Sequence, residues 1–479
     1  MEENLKRKTV VSTIWASIQQ FGRLGISFVS NIVLARLLMP EDYGTVGMLA
    51  IFIAVALVFV DSGLGNALIQ KTKASEEDYS TIFYFNIGMS LLLYLLLFFA
   101  APAVARFFNM EILSRMQRIY GLVLIINSFS IIQYARLRKQ LSFKPLTIST
   151  LTSAIVSTAL GICLAYNGYG VWSLVAMNLM EAIVRTSMLW IQCKWFPKLQ
   201  FNINSLKQLF GFGGYLLANS LLYTFRRNFL SVVLGKLYAA RDLGMYTQAK
   251  KLEDIPVTGI SSIVEQVSFP VFSKLQDDSD RFRQMQRKSL MMLGFLCIPL
   301  MFLIMVIAKP VIVVLYTDKW IEATPYLQVL CFTGIFVSLQ AVNANVVNAM
   351  GHSRLYFKWS IVKTLLLFLI VWIGHYWGIV GLLSALVVYN FSVYVINASL
   401  ASQFTHYTLW QQAKDLLPIM LLSALIAVGV WFVHYLVQNS FALLVVQTMI
   451  YVVLFLGLYY LVDKSMLTEM ISMIYRKQS

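Results

Sequence analysis

The sequence predicts an all-α integral membrane protein of about fourteen transmembrane helices, built as two parallel six-helix lobes with two further helices at the C-terminal end. Three observations carry that prediction. Of 479 residues, 59% are hydrophobic and only 13% charged, a balance found neither in ordinary soluble domains nor in disordered chains. Apolar runs of spanning length, about 20 residues each, recur along the chain. A motif that follows the first run then returns 200 residues later.

The expected spans cover residues 11–35, 44–60, 81–105, 117–134, 147–166, 171–192, 210–234, 245–272, 289–313, 324–349, 357–375, 378–402, 416–436 and 442–462. The basic start around Lys6, Arg7 and Lys8 superficially resembles a secretory signal. The run behind it is too long for one and carries Gln19, Gln20 and Arg23, so it is read as a retained first span. With the N-terminus cytoplasmic, twenty-three basic residues in the loops and at adjoining span ends fall on the cytoplasmic side and eight on the other. That bias predicts both termini in the cytoplasm. It also accounts for most of the formal charge of +16, and a nucleic-acid partner is not expected. Trp172, Trp190, Trp195, Trp359, Trp372, Trp377 and Trp431 lie near span ends, as an interfacial belt requires. Residues 464–479 read as an amphipathic tail on the cytoplasmic surface, with Met466, Leu467, Met470, Ile471 and Ile474 on one face.

The repeated motif runs from Leu34 to Gly44 and again from Leu234 to Gly244, with leucine, base, leucine, aspartate and glycine at matching positions. A second echo pairs the stretch around Pro102 with that around Pro310. Six spans separate the copies, and an even number preserves orientation, so the lobes are expected as parallel repeats about an axis along the membrane normal. The predicted divisions are 1–194 for the first lobe, 195–405 for the second, 406–463 for the last two helices and 464–479 for the tail.

Polar residues inside the spans are the candidates for function. Ser12, Gln19, Arg23, Ser27 and Ser30 recur at helical spacing on the first span. An arginine at bilayer depth costs roughly 2.5–3.5 kcal/mol, so this face is expected to meet water or protein rather than lipid. The seventh span, repeat partner of the first, carries Arg226 and Arg227, with Asn219, Tyr223 and Arg226 on one face. Facing first helices would offer Arg23 and Arg226 or Arg227 to an anionic ligand, although Arg227 can equally snorkel outward. Glu181 and Arg185, four apart on the sixth span, either neutralise each other or join the site. Lys250, Lys251, Glu253 and Asp254 open the eighth span as a solvated mixed-charge start or as a substrate rim, and Lys363 reads as a snorkelling side chain. Asp61, in Val60-Asp61-Ser62-Gly63-Leu64-Gly65, and Glu265, before Pro270, sit at expected helix breaks. There a carboxylate either caps a helix end or binds a coupling cation. The four cysteines and four histidines are scattered, and no metal site or cofactor is expected.

At Gln20-Phe21-Gly22-Arg23, Leu34–Gly44, Phe59–Gln70, Leu141-Ser142-Phe143-Lys144 and Gly168–Trp172 the chain resembles the Wzx-type polysaccharide transport family of lipid-linked oligosaccharide flippases. That family lies in the multidrug/oligosaccharidyl-lipid/polysaccharide exporter superfamily, and the likeness is strongest to its lipopolysaccharide and colanic-acid exporter branch. The resemblance covers the first lobe well and the second more loosely. It implies a MATE-like two-lobed bundle with a central cationic cavity open alternately to cytoplasm and periplasm. It implies as substrate an oligosaccharide on a polyprenyl (undecaprenyl) diphosphate carrier, whose diphosphate would meet Arg23 and Arg226 while the lipid tail stays in the membrane. Glycosyltransferases, a polymerase and a chain-length regulator are the implied partners.

Two other function classes are weighed against this one. A drug or metabolite exporter of the same superfamily would want carboxylates in its cavity, whereas the central charge here is positive. A membrane polysaccharide polymerase or ligase would need a sizeable outer loop with catalytic groups, and the outer loops are short. No G-x-x-x-x-G-K-[ST] loop is present, so energy is expected from an H+ or Na+ gradient or the membrane potential rather than from ATP hydrolysis by this chain.

Overall fold

The computed structural model describes residues 2–61, 63–71, 74–275, 278–350 and 353–462. No β-strand occurs among them, as expected where a bilayer offers no partner to an open sheet edge. The first helices are α1 (Glu2–Leu37), α2 (Pro40–Asp61), α3 (Leu64–Gln70), α4 (Glu76–Phe108), α5 (Ile112–Tyr120), α6 (Leu122–Ser128), α7 (Ile131–Lys139), α8 (Phe143–Tyr166), α9 (Val171–Cys193) and α10 (Ile203–Leu237). There follow α11 (Ala240–Lys274), α12 (Ser279–Val306), α13 (Ala308–Tyr316), α14 (Thr324–Ala349), α15 (Ser353–His375), α16 (Gly378–Thr405), α17 (Leu409–Trp431) and α18 (Ser440–Val462). The expected tail at 464–479 lies outside the described residues.

Eleven segments among the described residues are long and apolar enough to cross a membrane. The three expected spans not among them are α1, α10 and α11, of 36, 35 and 35 residues. Length is not what they lack; they are the helices diluted by Arg23, by Arg226 and Arg227, and by Lys250 to Asp254. The second span ends at Asp61, where the sequence placed a helix break, and Gly63 adopts φ 66° before α3 begins. The expected fourth span forms three pieces, α5, α6 and α7. Pro102 lies within continuous α4, whereas the chain breaks at Ile307 just ahead of Pro310, so the second sequence echo covers two different backbones.

The chain divides by packing into two compact units, residues 1–247 and 248–479. In the first unit α1 packs on α8, α8 on α9, and α2 on α4, α9 and α10. The repeated motifs form two helix corners, α1 to α2 and α10 to α11, and the corners meet. A Cβ on Gly44 would lie 1.7 Å from the Ala240 carbonyl oxygen, and one on Gly244 would lie 1.9 Å from that of Pro40. Under the 200-residue offset each contact maps onto the other, as a two-fold relation requires. Asp42 accepts a hydrogen bond from the Met39 N–H at 3.0 Å, and Asp242 one from the Ala239 N–H at 3.3 Å. Each aspartate thereby satisfies a donor at the start of its helix. Trp195, placed by sequence in an interfacial belt, is instead buried. Its Nε1 donates to Glu76 at 2.6 Å and its ring packs edge-on against Phe83.

In the second unit α14 packs on α12 and α16, and α17 on α12 and α18. Four of these helices are tied by buried amides. Gln286 of α12 donates to Asn343 of α14 at 2.8 Å, Asn343 donates to Gln412 of α17 at 3.0 Å, and the Tyr394 hydroxyl of α16 donates to the same Gln412 oxygen at 3.0 Å. Two sequence expectations fail here. Lys363 does not snorkel; it is buried to 1% exposure and its Nζ hydrogen-bonds Asn397. Glu253 is not part of a solvated helix start. It is fully buried and ion-paired with Lys250, which also reaches Asp254 at 3.1 Å, because α11 begins at Ala240 and carries this cluster well inside its length.

Replacing Gly44 or Gly244 by alanine is expected to cost at least about 3 kcal/mol of stability, the upper range for overpacking, since the obstacle is backbone. The detergent-solubilised variants would melt well below the parent. Unchanged melting of both would show that the corners do not bear on each other.

Candidate functional site

Within the first unit, α1, α2, α3, α6, α7, α8 and α9 enclose a cavity of about 440 Å³. Its charged lining is Arg23, Arg138, Arg185 and Asp61, and its neutral polar lining is Gln19, Asn66, Asn127, Ser130, Tyr134 and Thr150. Leu57, Val60, Ile69, Ile131 and Leu189 supply apolar wall.

The polar face of α1 meets protein at Ser12 and reaches the cavity at Gln19. Ser12 donates to the Leu141 carbonyl at 2.6 Å, and Gln19 donates to Thr150 of α8 at 3.1 Å. One turn on, an Arg23 nitrogen lies 3.1 Å from a Glu181 carboxylate oxygen, with the arginine side chain 51% exposed and the glutamate 23%. Gln20 is half-buried, and Ser27 lies exposed on the same helix. Glu181 therefore takes its partner from α1. Arg185, one turn along α9, donates instead to the Asn127 side-chain oxygen at 2.7 Å.

The break in the expected fourth span shapes the far wall. Where a helix is interrupted its carbonyls lose partners, and in lipid they must be satisfied by neighbours. Side chains of α9 do this: Thr186 donates to the Ile126 carbonyl at 3.2 Å and Trp190 to that of Phe129 at 2.8 Å. The short α7 that follows turns Ile131, Tyr134, Ala135 and Arg138 to the cavity. Asp61 sits at the end of α2, where the Gly65 N–H hydrogen-bonds its carboxylate across the break.

Several sequence candidates thus come together: Gln19, Arg23, Asp61 and Arg185 line one cavity, with Glu181 on Arg23. Among the described residues none of α10 lines it. Asn219 and Arg226 are half-buried on that helix, and Tyr223 and Arg227 exposed. Glu253 and Asp254 belong to the second unit, and the Glu265 side chain lies outside the described residues. Arg138 lies four residues beyond the expected fourth span, 117–134, among the bases that the sequence places on the cytoplasmic side. Its signal was present in the spacing of Ile131, Tyr134, Ala135 and Arg138, which is that of one helical face.

Fold and site together define a multi-pass α-helical membrane protein with a polar, arginine-bearing chamber. The chain belongs to the family described as polysaccharide biosynthesis protein, whose model matches residues 33–325. Four of the motifs that carry the Wzx-type resemblance fall in that range. The teichuronic acid biosynthesis protein TuaB of Bacillus subtilis (strain 168) is 28% identical over 405 residues, covering 81% of this chain and 83% of that protein. Among solved structures, the lipid II flippase MurJ in its inward closed conformation matches with a TM-score of 0.74 at 16% identity, over 96% of this chain and 100% of that one. An inward-facing multidrug resistance MATE family transporter of the MOP superfamily matches with a TM-score of 0.65 at 15% identity, over 84% and 98%. The MATE-like fold expected from the sequence is the fold observed.

A cysteine at Asn66, on the cavity wall, is expected to react with a membrane-impermeant thiol reagent in a variant lacking Cys163 and Cys193. A cysteine at Ser153, fully buried, is expected not to. Equal labelling of the two would mean the chamber is not water-filled.

Proposed function

We propose that this chain is a flippase that carries an oligosaccharide linked to polyprenyl (undecaprenyl) diphosphate from the cytoplasmic to the periplasmic leaflet of a bacterial inner membrane. The observation that carries the reading is the gathering of Arg23, Arg138 and Arg185 on one cavity, offset only by Asp61 in its lining and by Glu181 on Arg23. Guanidinium groups suit phosphate because their planar donors match its oxygens in bidentate pairs. Removed from bulk water, that attraction strengthens. The amides and hydroxyls of Gln19, Asn66, Asn127, Ser130 and Thr150 suit sugar hydroxyls, while the lipid tail needs no chamber. Arg226, Arg227, Asn219 and Tyr223 would extend the site from α10 in another state of the transport cycle, and Gln20 and Ser27 would continue it along α1.

Alternating access in repeat-built carriers moves one bundle against the other around a site at membrane depth. The family membership, the relative TuaB named for teichuronic acid biosynthesis, and the fold shared with a lipid II flippase all support this reading over that of an enzyme. The fold alone equally suits a small-molecule exporter, since MATE transporters have it. The arginine excess favours an anionic cargo. Asp61, inside the cavity, is the candidate for coupling to H+, Na+ or the membrane potential, with Glu253, Asp254 and Glu265 as further carboxylates. The excess of basic residues in the loops and at adjoining span ends on one side supports cytoplasmic termini. Glycosyltransferases that supply the cargo, and a polymerase and chain-length regulator that take it up, are the partners this activity would require.

Arg23→Ala is expected to leave the protein inserted but to cut glycan export at least about tenfold, a charge-assisted bond being worth roughly 1.5–3 kcal/mol. The lipid-linked precursor would accumulate on the cytoplasmic leaflet, read by mass spectrometry of lipid extracts. Normal export by this variant would remove Arg23 from the mechanism. In reconstituted vesicles, collapsing the ion gradient and membrane potential should slow transport, and Asp61→Asn should abolish that dependence. Rates indifferent to the gradient would refute coupling at Asp61.

A further inference from the structure

A second pocket, of about 330 Å³, opens in the other unit between the first turns of α12 and α17. Asp280, Arg283, Gln284 and Arg287 present one face of α12 to it, and Gln411, Lys414 and Asp415 one face of α17. Its floor is built. Arg287 forks onto Asp415 with two contacts of 2.7 Å, and the buried Tyr407 hydroxyl donates to the same carboxylate at 2.6 Å. Behind that floor, Gln412 accepts from Asn343 and donates to the Tyr407 carbonyl, so neither helix end can swing freely. With Arg287 and Asp415 neutralising each other, Arg283 and Lys414 at the rim face, among the described lining residues, one further carboxylate, the exposed Asp280.

The surroundings place these cations at a membrane boundary. Polar residues fill both helices up to Lys288 and Asp415, and apolar sequence follows in each. Trp410, 67% exposed, carries Lys414 over its ring at 5.5 Å, an arrangement suited to the headgroup level. From Lys414, Leu417, Leu421 and Leu425 continue the same face of α17 at steps of three, four and four, exposed by 52%, 61% and 70%. A cationic rim joined to an apolar stripe matches the two halves of an acidic lipid.

We propose that the α12–α17 pocket is a binding site for an anionic glycerophospholipid, whose headgroup phosphate lies between Arg283 and Lys414 and whose acyl chain lies along Leu417, Leu421 and Leu425. The site is separate from the arginine-lined chamber and requires no assumption about what that chamber carries. Its lipid is a resident of the membrane, held by surface cations of the kind that draw acidic headgroups.

The test uses the full chain in detergent, with phosphatidylglycerol, phosphatidylcholine or inorganic phosphate added, and native mass spectrometry as readout. The parent protein should retain one phosphatidylglycerol and release phosphatidylcholine. R283Q/K414Q should weaken that retention roughly tenfold or more, on the scale of two surface cations against an acidic lipid. The charge-preserving R283K/K414R should keep most of it, which separates lost charge from lost fold. Equal retention of phosphatidylcholine, undiminished phosphatidylglycerol in R283Q/K414Q, or inorganic phosphate binding as tightly as the lipid would each overturn the proposal.

Discussion

The close approach of Gly44 to Ala240 and of Gly244 to Pro40 is the constraint on which the first unit rests. Each glycine admits the other corner's backbone to a distance at which no side chain could stand. The corners are otherwise ordinary: an aspartate caps each one, and proline opens α2 where its missing N–H costs nothing. What is unusual is that two such corners share one point. Neighbouring contacts follow from that approach, with Gly47 against Leu243, and Gly235 against Met48 and Phe108. In a membrane, where apolar side chains gain little by leaving lipid, close backbone approach through small residues is the available adhesive. The position of α1 and α2, and so of Arg23 and Asp61, is inherited from it.

The chamber is what results when such packing must also accommodate interrupted helices. Every break releases carbonyls or N–H groups that lipid cannot satisfy. Breaks therefore occur where a neighbour offers a partner, as α9 does with the donors of Thr186 and Trp190, and as Asp61 does with an accepting carboxylate for the Gly65 N–H. Of the side chains recruited for that repair, Asp61 lines the cavity, beside Asn66, Asn127 and Ser130 from the broken segments themselves. The arginines are then tolerable there, since the wall is already polar. Architecture and site chemistry are one solution to the cost of exposing backbone at membrane depth.

Much of this was legible in the chain. The all-α membrane class, the repeated corner motif, the end of α2 at Asp61 and the polar face that carries Arg23 all follow from local quantities: hydropathy, spacing and glycine content. Partner choice does not. Glu181 and Arg185 lie four apart and invite pairing on one helix, yet Glu181 goes to Arg23 and Arg185 to Asn127, because α1 and α6 bring better-placed groups. Lys363, near a span end, carries the local mark of a snorkelling residue; its burial depends on Asn397, 34 residues away. Glu253 was misplaced because α11 begins earlier than its apolar run, which makes a buried pair out of what reads as a solvated start. Arg138 was missed for a related reason. A basic residue near a span end was assigned to a loop, and the break that turns it inward came from tertiary structure.

The way the arginines are held bears on what the chamber can do. A buried guanidinium fully satisfied by carboxylates is a structural element, and displacing its partners costs as much as a ligand could return. Arg23 instead meets Glu181 through a single nitrogen and keeps half its side chain exposed. Arg185 donates to a neutral amide oxygen, which offsets none of its charge by pairing. A guanidinium has five N–H donors, so in both cases most of the fork is uncommitted to a carboxylate. One counter-charge is enough to lower the cost of placing Arg23 at membrane depth, and it leaves the cation able to exchange a single bond for the two that a phosphate oxygen pair supplies. An arrangement with a bidentate carboxylate on each arginine would be more stable at rest and would have no reason to take up an anion. The single-bonded one is the arrangement that the proposed carriage of an anion would need, since a cargo must be bound and also let go.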